Sequence, residues 1–323
     1  MLADFLIVLG GAGAILLLAE AVIRATLRLA RHYGLSGSFV GLTILSIGSS
    51  LLEIVTHVIG SVRILHSPER MDTLSGLLLG SNIGSDIFQQ NFVLPLVGVL
   101  GTVMVARKML MVEVGALLAA SGLLWLACLG GTITRFEGVL LMVAYLAYLY
   151  YLARAKSSTT RHHVRLRPGR VPVQVLVVSG CFAAMALVAN PVLAAAERLV
   201  GMLPLSASLF GVLVLGVCAA LPELMTALVS LRQGQRDISA GILIGSNITN
   251  PLFGAGLGAL ISGYTVPAVI VEYDLPVKIT TGVLLYVFLW RHEQLGRGAA
   301  FALFGLYFGY VVLRGALFPA DSF

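Results

Sequence analysis

Long apolar runs, separated by short breaks that carry charge, glycine or proline, constrain this sequence more than any other feature. A hydrocarbon core of about 30 Å is spanned by roughly 20 apolar helical residues. The runs do not alternate with a period of two, so they predict a bundle of transmembrane helices. Ten of them can be counted, at 4–29, 37–62, 73–100, 108–130, 136–154, 172–196, 205–231, 239–263, 275–291 and 297–315.

The composition agrees with a chain whose partner is the lipid bilayer. Of the 323 residues, 58% are hydrophobic and only 11% are charged, whereas soluble domains carry about 25% charge. A soluble enzyme, a DNA-binding domain and a disordered tail are therefore excluded. The net charge of +6 does not indicate a nucleic-acid partner, because the basic residues lie at the ends of apolar runs and form no stripe.

The placement of lysine and arginine predicts the orientation of the chain in the bilayer. With the N-terminus outside, the loops that face inward hold 15 of the 21 basic residues. The other six, which include Lys278 and Arg314, would face outward. Because basic loops stay on the cytoplasmic side, both termini are predicted outside and the basic linker 155–171 inside.

The linker divides the chain into halves of five helices, 1–154 and 172–323, and the halves resemble each other. The segment 80–89, GSNIGSDIFQ, matches GILIGSNITN at 241–250, and LLEIVT at 51–56 matches LPELMT at 221–226. Five helices per half force the two copies to insert in opposite senses. Inverted repeats are typical of secondary transporters, whose substrate site lies near the midplane where the repeats meet.

Two glutamates, Glu53 and Glu223, lie within spans at equivalent positions of the two repeats. Ionised carboxylates inside a membrane are costly and usually functional. Two of them match the charge of a divalent cation, and calcium takes 6 to 8 oxygen ligands. Ser85 with Gln89, and Ser246 with Asn250, are spaced i, i+4 and offer neutral oxygens on one helical face. The alternative for these polar residues is hydrogen bonding between helices.

With these motifs the chain resembles the calcium/cation antiporter superfamily, the sodium/calcium exchangers, over its whole length. The family's first segment reads Gly-Thr-Ser-Leu-Pro-Glu and its second Gly-Asn-x-x-Gly-Ser-Asn-x-x-Asn or Asp. The resemblance implies an all-α membrane protein with ten transmembrane helices in two inverted five-helix repeats, of the prokaryotic type. It also implies an inner-membrane carrier of inorganic cations, with no cofactor besides the transported Ca²⁺ and Na⁺ or H⁺. Carried over by position, the ligands implied are Glu53, Glu223, Ser49, Ser50, Ser85, Gln89, Ser246 and Asn250.

The chain departs from the family pattern at several positions. Cys218, Ala219 and Ala220 replace Gly-Thr-Ser in the second half, so two hydroxyls that could bind sodium are missing. Leu52 replaces proline and is expected to remove a helix kink. Asp86 replaces asparagine and either accepts a proton or enlarges the cation site, or it faces another helix as a neutral, hydrogen-bonded group. His57, four residues after Glu53, either relays protons or bonds to a neighbouring helix.

The function predicted from these residues is secondary antiport, not enzymatic catalysis. The preferred hypothesis is exchange of calcium for sodium by alternating access. The alternatives are proton-coupled exchange, favoured by the missing hydroxyls, and a relative that has lost transport. An intramembrane hydrolase is disfavoured, because no Gly-x-Gly-Asp motif accompanies Asp86 and no serine has a symmetric histidine partner. The sequence has no P-loop, so an ion gradient is the expected energy source.

Overall fold

The helices of the described residues group into ten spans along the chain, as the apolar runs predict. The computed structural model describes residues 1–32, 46–100, 107–155, 170–232, 236–292 and 294–323. Positions 37–45 of the second predicted run and 156–169 of the predicted linker lie outside these residues. The protein is an all-α membrane protein, and its predicted fold class is confirmed.

Each half contributes five spans. The first half comprises α1 (Leu2–His32), α2 and α3 (Ser46–Ser49 and Leu51–His66), α4 and α5 (Met71–Phe88 and Leu94–Leu100), α6 (Arg107–Cys128) and α7 (Arg135–Ala155). The second comprises α8 (Arg170–Met202), α9 to α11 (Ala207–Phe210, Gly216–Ala219 and Leu221–Arg232), α12 and α13 (Arg236–Thr249 and Gly256–Ser262), α14 (Leu275–His292) and α15 (Arg297–Leu317). A short 3₁₀ turn, Pro68–Arg70, precedes α4. Strands β1 (Thr132–Ile133) and β2 (Tyr264–Thr265) pair antiparallel and join the halves.

Five helices of the described chain are long and apolar enough to cross a bilayer on their own, among them Leu2–Val22 and Val171–Met202. The helices around the predicted site are interrupted by π-helical turns. Two of these turns, Gln89–Val93 and Asn250–Ala255, begin at residues that the repeat alignment makes equivalent. The internal repeat is therefore present in the backbone, and π turns of this kind are frequent at functional sites.

The second span of each half bends just before its glutamate. The bend lies at Ser50 (φ −81°, ψ 13°) and at Ala220 (φ −82°, ψ −3°). The expectation that Leu52 removes the kink is wrong, because both halves bend alike although only the second has a proline. The bend therefore does not depend on the proline ring, and main-chain hydrogen bonds reach Ser50 from both sides, from Ser50 N to Ser46 O at 3.1 Å and from Ile54 N to Ser50 O at 3.0 Å.

Glycines allow the third span of the first half to cross the second span of the other half at backbone contact. A Cβ atom built on Gly84 would lie 2.6 Å from Val212 Cα, and one on Gly216 would lie 2.7 Å from Ser85 N. A Cβ atom built on Gly211 would lie 2.6 Å from Leu77 O. Small residues of this kind let membrane helices approach closely. The crossing places the start of α11 beside the end of α4.

Helices α1 and α8 pack against each other along their length. Only 25% of the most apolar window of α1 and 12% of that of α8 is buried, so the pair lies at the outside of the bundle. Its contact with α3 and α10 includes small and apolar side chains, among them Ala12, Leu52, Met185 and Ala219. An ion pair also joins α8 to α3, because Arg63 Nη2 donates to Glu197 Oε2 at 2.7 Å.

Two basic residues counted among the six outward charges are buried instead. Lys278 and Arg314 are fully buried and form ion pairs with the fully buried Asp86 and Asp274. Arg314 Nε lies 3.0 Å from Asp274 Oδ1. A charge without a partner is costly in lipid, so these residues serve interior contacts and do not report on orientation. The predicted outward charges are reduced to Arg63, Arg70, Arg135 and Arg198.

Candidate cation-binding site

The two predicted glutamates occupy the same position in their respective helices and lie in the same part of the protein. Glu53 is the third residue of α3, and Glu223 is the third residue of α11. Their side chains are 1% and 0% exposed, and the charge of Glu223 acts on Glu53. The start of a helix carries a partial positive charge that stabilises a carboxylate. The fold therefore brings two acidic groups, one from each half, into one buried place.

Glu53 accepts hydrogen bonds from the third spans of both halves. Ser85 Oγ donates to Glu53 Oε1 at 2.8 Å, and Asn250 Nδ2 donates to the same oxygen at 3.4 Å. Ser85 lies at the end of α4, whereas Asn250 begins the π turn of the other half. Both predicted polar pairs thus contribute one member to the surroundings of Glu53.

Glu223 is approached by hydroxyls of the opposite half. Ser50 Oγ donates to Glu223 Oε1 at 3.5 Å, and Ser49 also interacts with this carboxylate. The equivalent contacts to Glu53 cannot form, because Ala219 and Ala220 have no hydroxyl and are buried. The site is therefore symmetric in its carboxylates and asymmetric in its neutral oxygens.

Gln89 and Ser246 connect the two halves beside the glutamates. Ser246 Oγ donates to Gln89 Oε1, as does Asn247 Nδ2 at 3.2 Å, and Gln89 Nε2 donates to Ser85 Oγ at 3.0 Å. Every residue predicted as a ligand is at most 1% exposed. The structure thus places them in one polar cluster, in which Glu223 with Ser49 and Ser50 lies close enough to Glu53 for the two carboxylates to interact through their charges.

Three buried oxygens of this cluster have no hydrogen-bond partner among the described residues. They are Glu53 Oε2, Glu223 Oε2 and Asn250 Oδ1. A buried acceptor without a partner costs about 1–3 kcal/mol. In the described ranges no group of three or more His, Cys, Asp or Glu residues is arranged around one metal position. A cation bound here would need both carboxylate and neutral oxygens.

Asp86 contacts Lys278, one of the basic residues predicted to face outward. One of its carboxylate oxygens accepts from Lys278 Nζ, and the other accepts from Asn250 Nδ2 at 2.8 Å. Both Asp86 oxygens are therefore engaged by other side chains. The signal for Lys278 was available, because a lysine within the apolar run 275–291 requires a buried partner.

His57 joins helices and makes no described hydrogen bond to Glu53. Its Nε2 faces Asn82 Nδ2 at 3.2 Å, and its Nδ1 lies 2.8 Å from the hydroxyl of Tyr264. Asn82 also donates to the main-chain oxygen of Asn250 at 2.9 Å. This arrangement favours a neutral, bridging imidazole over a proton relay.

Comparison with known proteins identifies the family. The sequence pattern of the family described as "Sodium/calcium exchanger protein" matches residues 4–154 and 173–316. The Escherichia coli (strain K12) inner membrane protein YrbG is 28% identical over 311 residues, which cover 93% of this chain and 92% of that protein. The sodium/calcium exchanger MaX1 of Methanosarcina acetivorans is 22% identical, with coverage of 96% and 98%.

The fold has a solved counterpart. A structure of the sodium-calcium exchanger NCX_Mj, soaked with Na⁺ and Sr²⁺, superimposes with a TM-score of 0.66 at 21% identity, covering 96% of this chain and 97% of that one. The fold, the two glutamates at repeat-related positions and the match over most of the chain point the same way. This chain is an integral multi-pass membrane protein and belongs to the sodium/calcium exchanger family of cation antiporters.

Proposed function

We propose that this protein exchanges Ca²⁺ for Na⁺ by alternating access, with the ion bound between Glu53 and Glu223. The observation that carries the proposal is the pair of buried carboxylates, one from each half, that each retain an oxygen without a described partner. The relative MaX1 is named a sodium/calcium exchanger, in agreement with this substrate.

The electrostatics favour a divalent ion. Two unit charges about 4 Å apart interact by about 4 kcal/mol at an effective dielectric constant of about 20, and a divalent ion doubles this for each carboxylate. Asn250 Oδ1, which is buried without a described partner, and the hydroxyls of Ser49 and Ser50 beside Glu223 would supply neutral oxygens to the ion. Calcium accepts such a flexible mixture of carboxylate, amide and hydroxyl ligands.

The electrostatic cost also explains the exchange. Two buried carboxylates without a bound cation are costly in a state in which water does not reach the site. The empty carrier therefore does not switch between the two sides of the membrane. Sodium must replace calcium before the site can face the other side. The α1/α8 pair, which contacts α3 and α10 through small apolar side chains, is the part that moves.

Proton coupling is the second candidate, and a specific observation favours it. The hydroxyls that Ser49 and Ser50 supply near Glu223 are absent around Glu53, where Ala219 and Ala220 stand. Sodium needs such neutral oxygens, whereas a proton binds directly to a carboxylate. The coupling ion is therefore the first property to measure.

The experiment is calcium uptake into proteoliposomes that contain the purified protein. Vesicles loaded with sodium and diluted into sodium-free medium should accumulate radioactive calcium, and a sodium ionophore should stop the accumulation. Uptake driven by a pH gradient in the absence of sodium would assign the proton as the coupling ion instead. Absence of uptake under both gradients would contradict antiport.

Restoring a hydroxyl to the second half should raise the affinity for sodium. Ala220→Ser places a hydroxyl at the repeat equivalent of Ser50, beside Glu53. One additional ligand worth about 1 kcal/mol should lower the sodium concentration for half-maximal exchange about fivefold. Ala302→Ser, on an exposed face of α15, is the matched control. An unchanged sodium dependence in Ala220→Ser would contradict the assignment of this position to a sodium site.

We also propose that the carrier lies in a prokaryotic inner membrane with both termini outside. Its two halves comprise residues 1–154 and 172–323. The positive-inside distribution supports this orientation. A cysteine added before Met1 should react with a membrane-impermeant maleimide in spheroplasts whose inner membrane is intact. Labelling that requires opened cells would reverse the orientation.

A further inference from the structure

The side-chain amide of Asn250 is held in one orientation. Its Nδ2 donates to Asp86 Oδ1 at 2.8 Å and to Glu53 Oε1 at 3.4 Å, so each of the two amide hydrogens has an acceptor. Its Oδ1 is buried without a described partner. The reversed amide would place this oxygen against two carboxylate oxygens, which accept hydrogen bonds and do not donate them when ionised. The two carboxylates therefore decide which atom of Asn250 stays available.

Asp86 differs from Glu53 as an acceptor for this amide. Glu53 has to offer its oxygens to a bound cation, and its bond to Asn250 is the longer of the two. Asp86 Oδ2 accepts from Lys278 Nζ, and both residues of this ion pair are fully buried. Asp86 Oδ1 is the oxygen that remains for the amide. Asp86 is therefore the acceptor that can keep Asn250 in place while Glu53 binds an ion.

The main chain on both sides of this contact is also fixed. Gln90 Nε2 donates to the main-chain oxygen of Lys278 at 3.0 Å and to Thr281 Oγ1 at 2.7 Å, which attaches α14 to the π turn Gln89–Val93. Asn82 Nδ2 donates to the main-chain oxygen of Asn250 at 2.9 Å. The bond between Asp86 and Asn250 thus has supports that lie outside the pair of glutamates.

Gln89, the repeat equivalent of Asn250, shows the opposite arrangement. Its Oε1 accepts from Ser246 Oγ and from Asn247 Nδ2, the latter at 3.2 Å. A carbonyl oxygen has two lone pairs, so this amide oxygen is fully occupied by the protein. Of the two repeat-related amides, Asn250 is the one whose oxygen has no described partner.

We propose that Asp86 is a positioning residue of the transport site, which, supported by Lys278, holds the amide of Asn250 so that Oδ1 faces the bound cation. The inference rests on the proposed function and assigns Asp86 no contact with the ion. Replacing a residue that orients a metal ligand typically lowers the metal affinity by about 10- to 100-fold. The acceptor oxygen at position 86 should therefore control the affinity for calcium.

The test compares two double variants that both remove the ion pair. In Asp86→Asn with Lys278→Met, position 86 keeps a side-chain oxygen that can accept from Asn250. In Asp86→Leu with Lys278→Met, a side chain of similar size has no acceptor, so the amide is free to turn. Radioactive calcium should bind to the detergent-solubilised leucine variant about 10- to 100-fold more weakly than to the asparagine variant. Equal affinities would overturn the inference, because loss of the ion pair alone would then account for any change.

A second test uses isosteric substitutions and does not depend on the folding of the leucine variant. Asn250→Asp places a carboxylate oxygen at hydrogen-bond distance from Asp86 Oδ1 and should weaken calcium binding at least tenfold. Adding Asp86→Asn lets position 86 donate to position 250 and should recover most of the affinity. Unchanged binding in the single variant would overturn the inference, and so would a folded double variant without recovery.

The unmodified protein separates this inference from the proposed function. Absence of calcium uptake under a sodium gradient and under a pH gradient would overturn both. Gradient-driven uptake, together with equal calcium affinities of the two double variants, would overturn the role of Asp86 alone.

Discussion

Glu53→Gln should reduce calcium exchange at least about 100-fold, and so should Glu223→Gln. Each substitution keeps the shape of the side chain and removes one of the two charges that face the ion. The Coulomb attraction lost is several kcal/mol even at a dielectric constant of about 20, and a loss of about 2.7 kcal/mol already corresponds to 100-fold. Sodium-driven uptake of radioactive calcium into proteoliposomes measures the effect.

The matched control is Glu20→Gln. Glu20 lies on the exposed part of α1 and pairs with Arg24 four residues later, outside the polar cluster. Its substitution should leave exchange within about twofold, because exposed ion pairs contribute little. Substantial exchange in either site variant, with a normal amount of folded protein, would place the transported ion elsewhere.

Gly84→Val should lower exchange by about tenfold or more, although it removes no ligand. The valine Cβ would meet Val212 Cα and Val212 O at 2.6 Å, which are main-chain atoms that cannot turn away. Helix α4 would have to move from the segment that leads into α11, and with it Ser85 from Glu53. A misplacement of about 1 Å at a reacting or binding centre can cost about 100-fold.

The control for this prediction is Gly305→Val in α15, where a Cβ meets no atom within 4 Å. It introduces the same β-branched residue into a helix without the clash, so exchange should persist. Calcium binding measured on both detergent-solubilised variants separates a distorted site from a failure to move. Unchanged exchange in Gly84→Val would mean that the close crossing does not position the ligands.

Much of the site was predictable from residue type and position. Glu53 and Glu223 could be identified because a carboxylate within an apolar run is rare, and the repeat made each support the other. Ser85 and Asn250 followed from their helical spacing, and the structure places both beside Glu53. Their role as ligands of a transported ion remains a prediction.

Other features could not be predicted along the chain. The bend at Ser50 was expected to require a proline two residues later. It forms although Leu52 stands at that position. Lys278 was counted as an outward charge, although its partner Asp86 lies 192 positions away in the sequence. The apolar run 275–291 indicates that Lys278 needs a buried partner, but nothing local identifies which carboxylate it is.

Hydropathy and charge placement alone determined the number of spans, the helical class and the two acidic residues, because burial in lipid imposes its cost on every residue individually. The tertiary structure decided which oxygens surround Glu53 and Glu223 and which of them remain without partners. It also decided that an ammonium joins the cluster. These properties depend on backbones that touch at glycines far apart in the chain, and such contacts exist only after the halves have packed together.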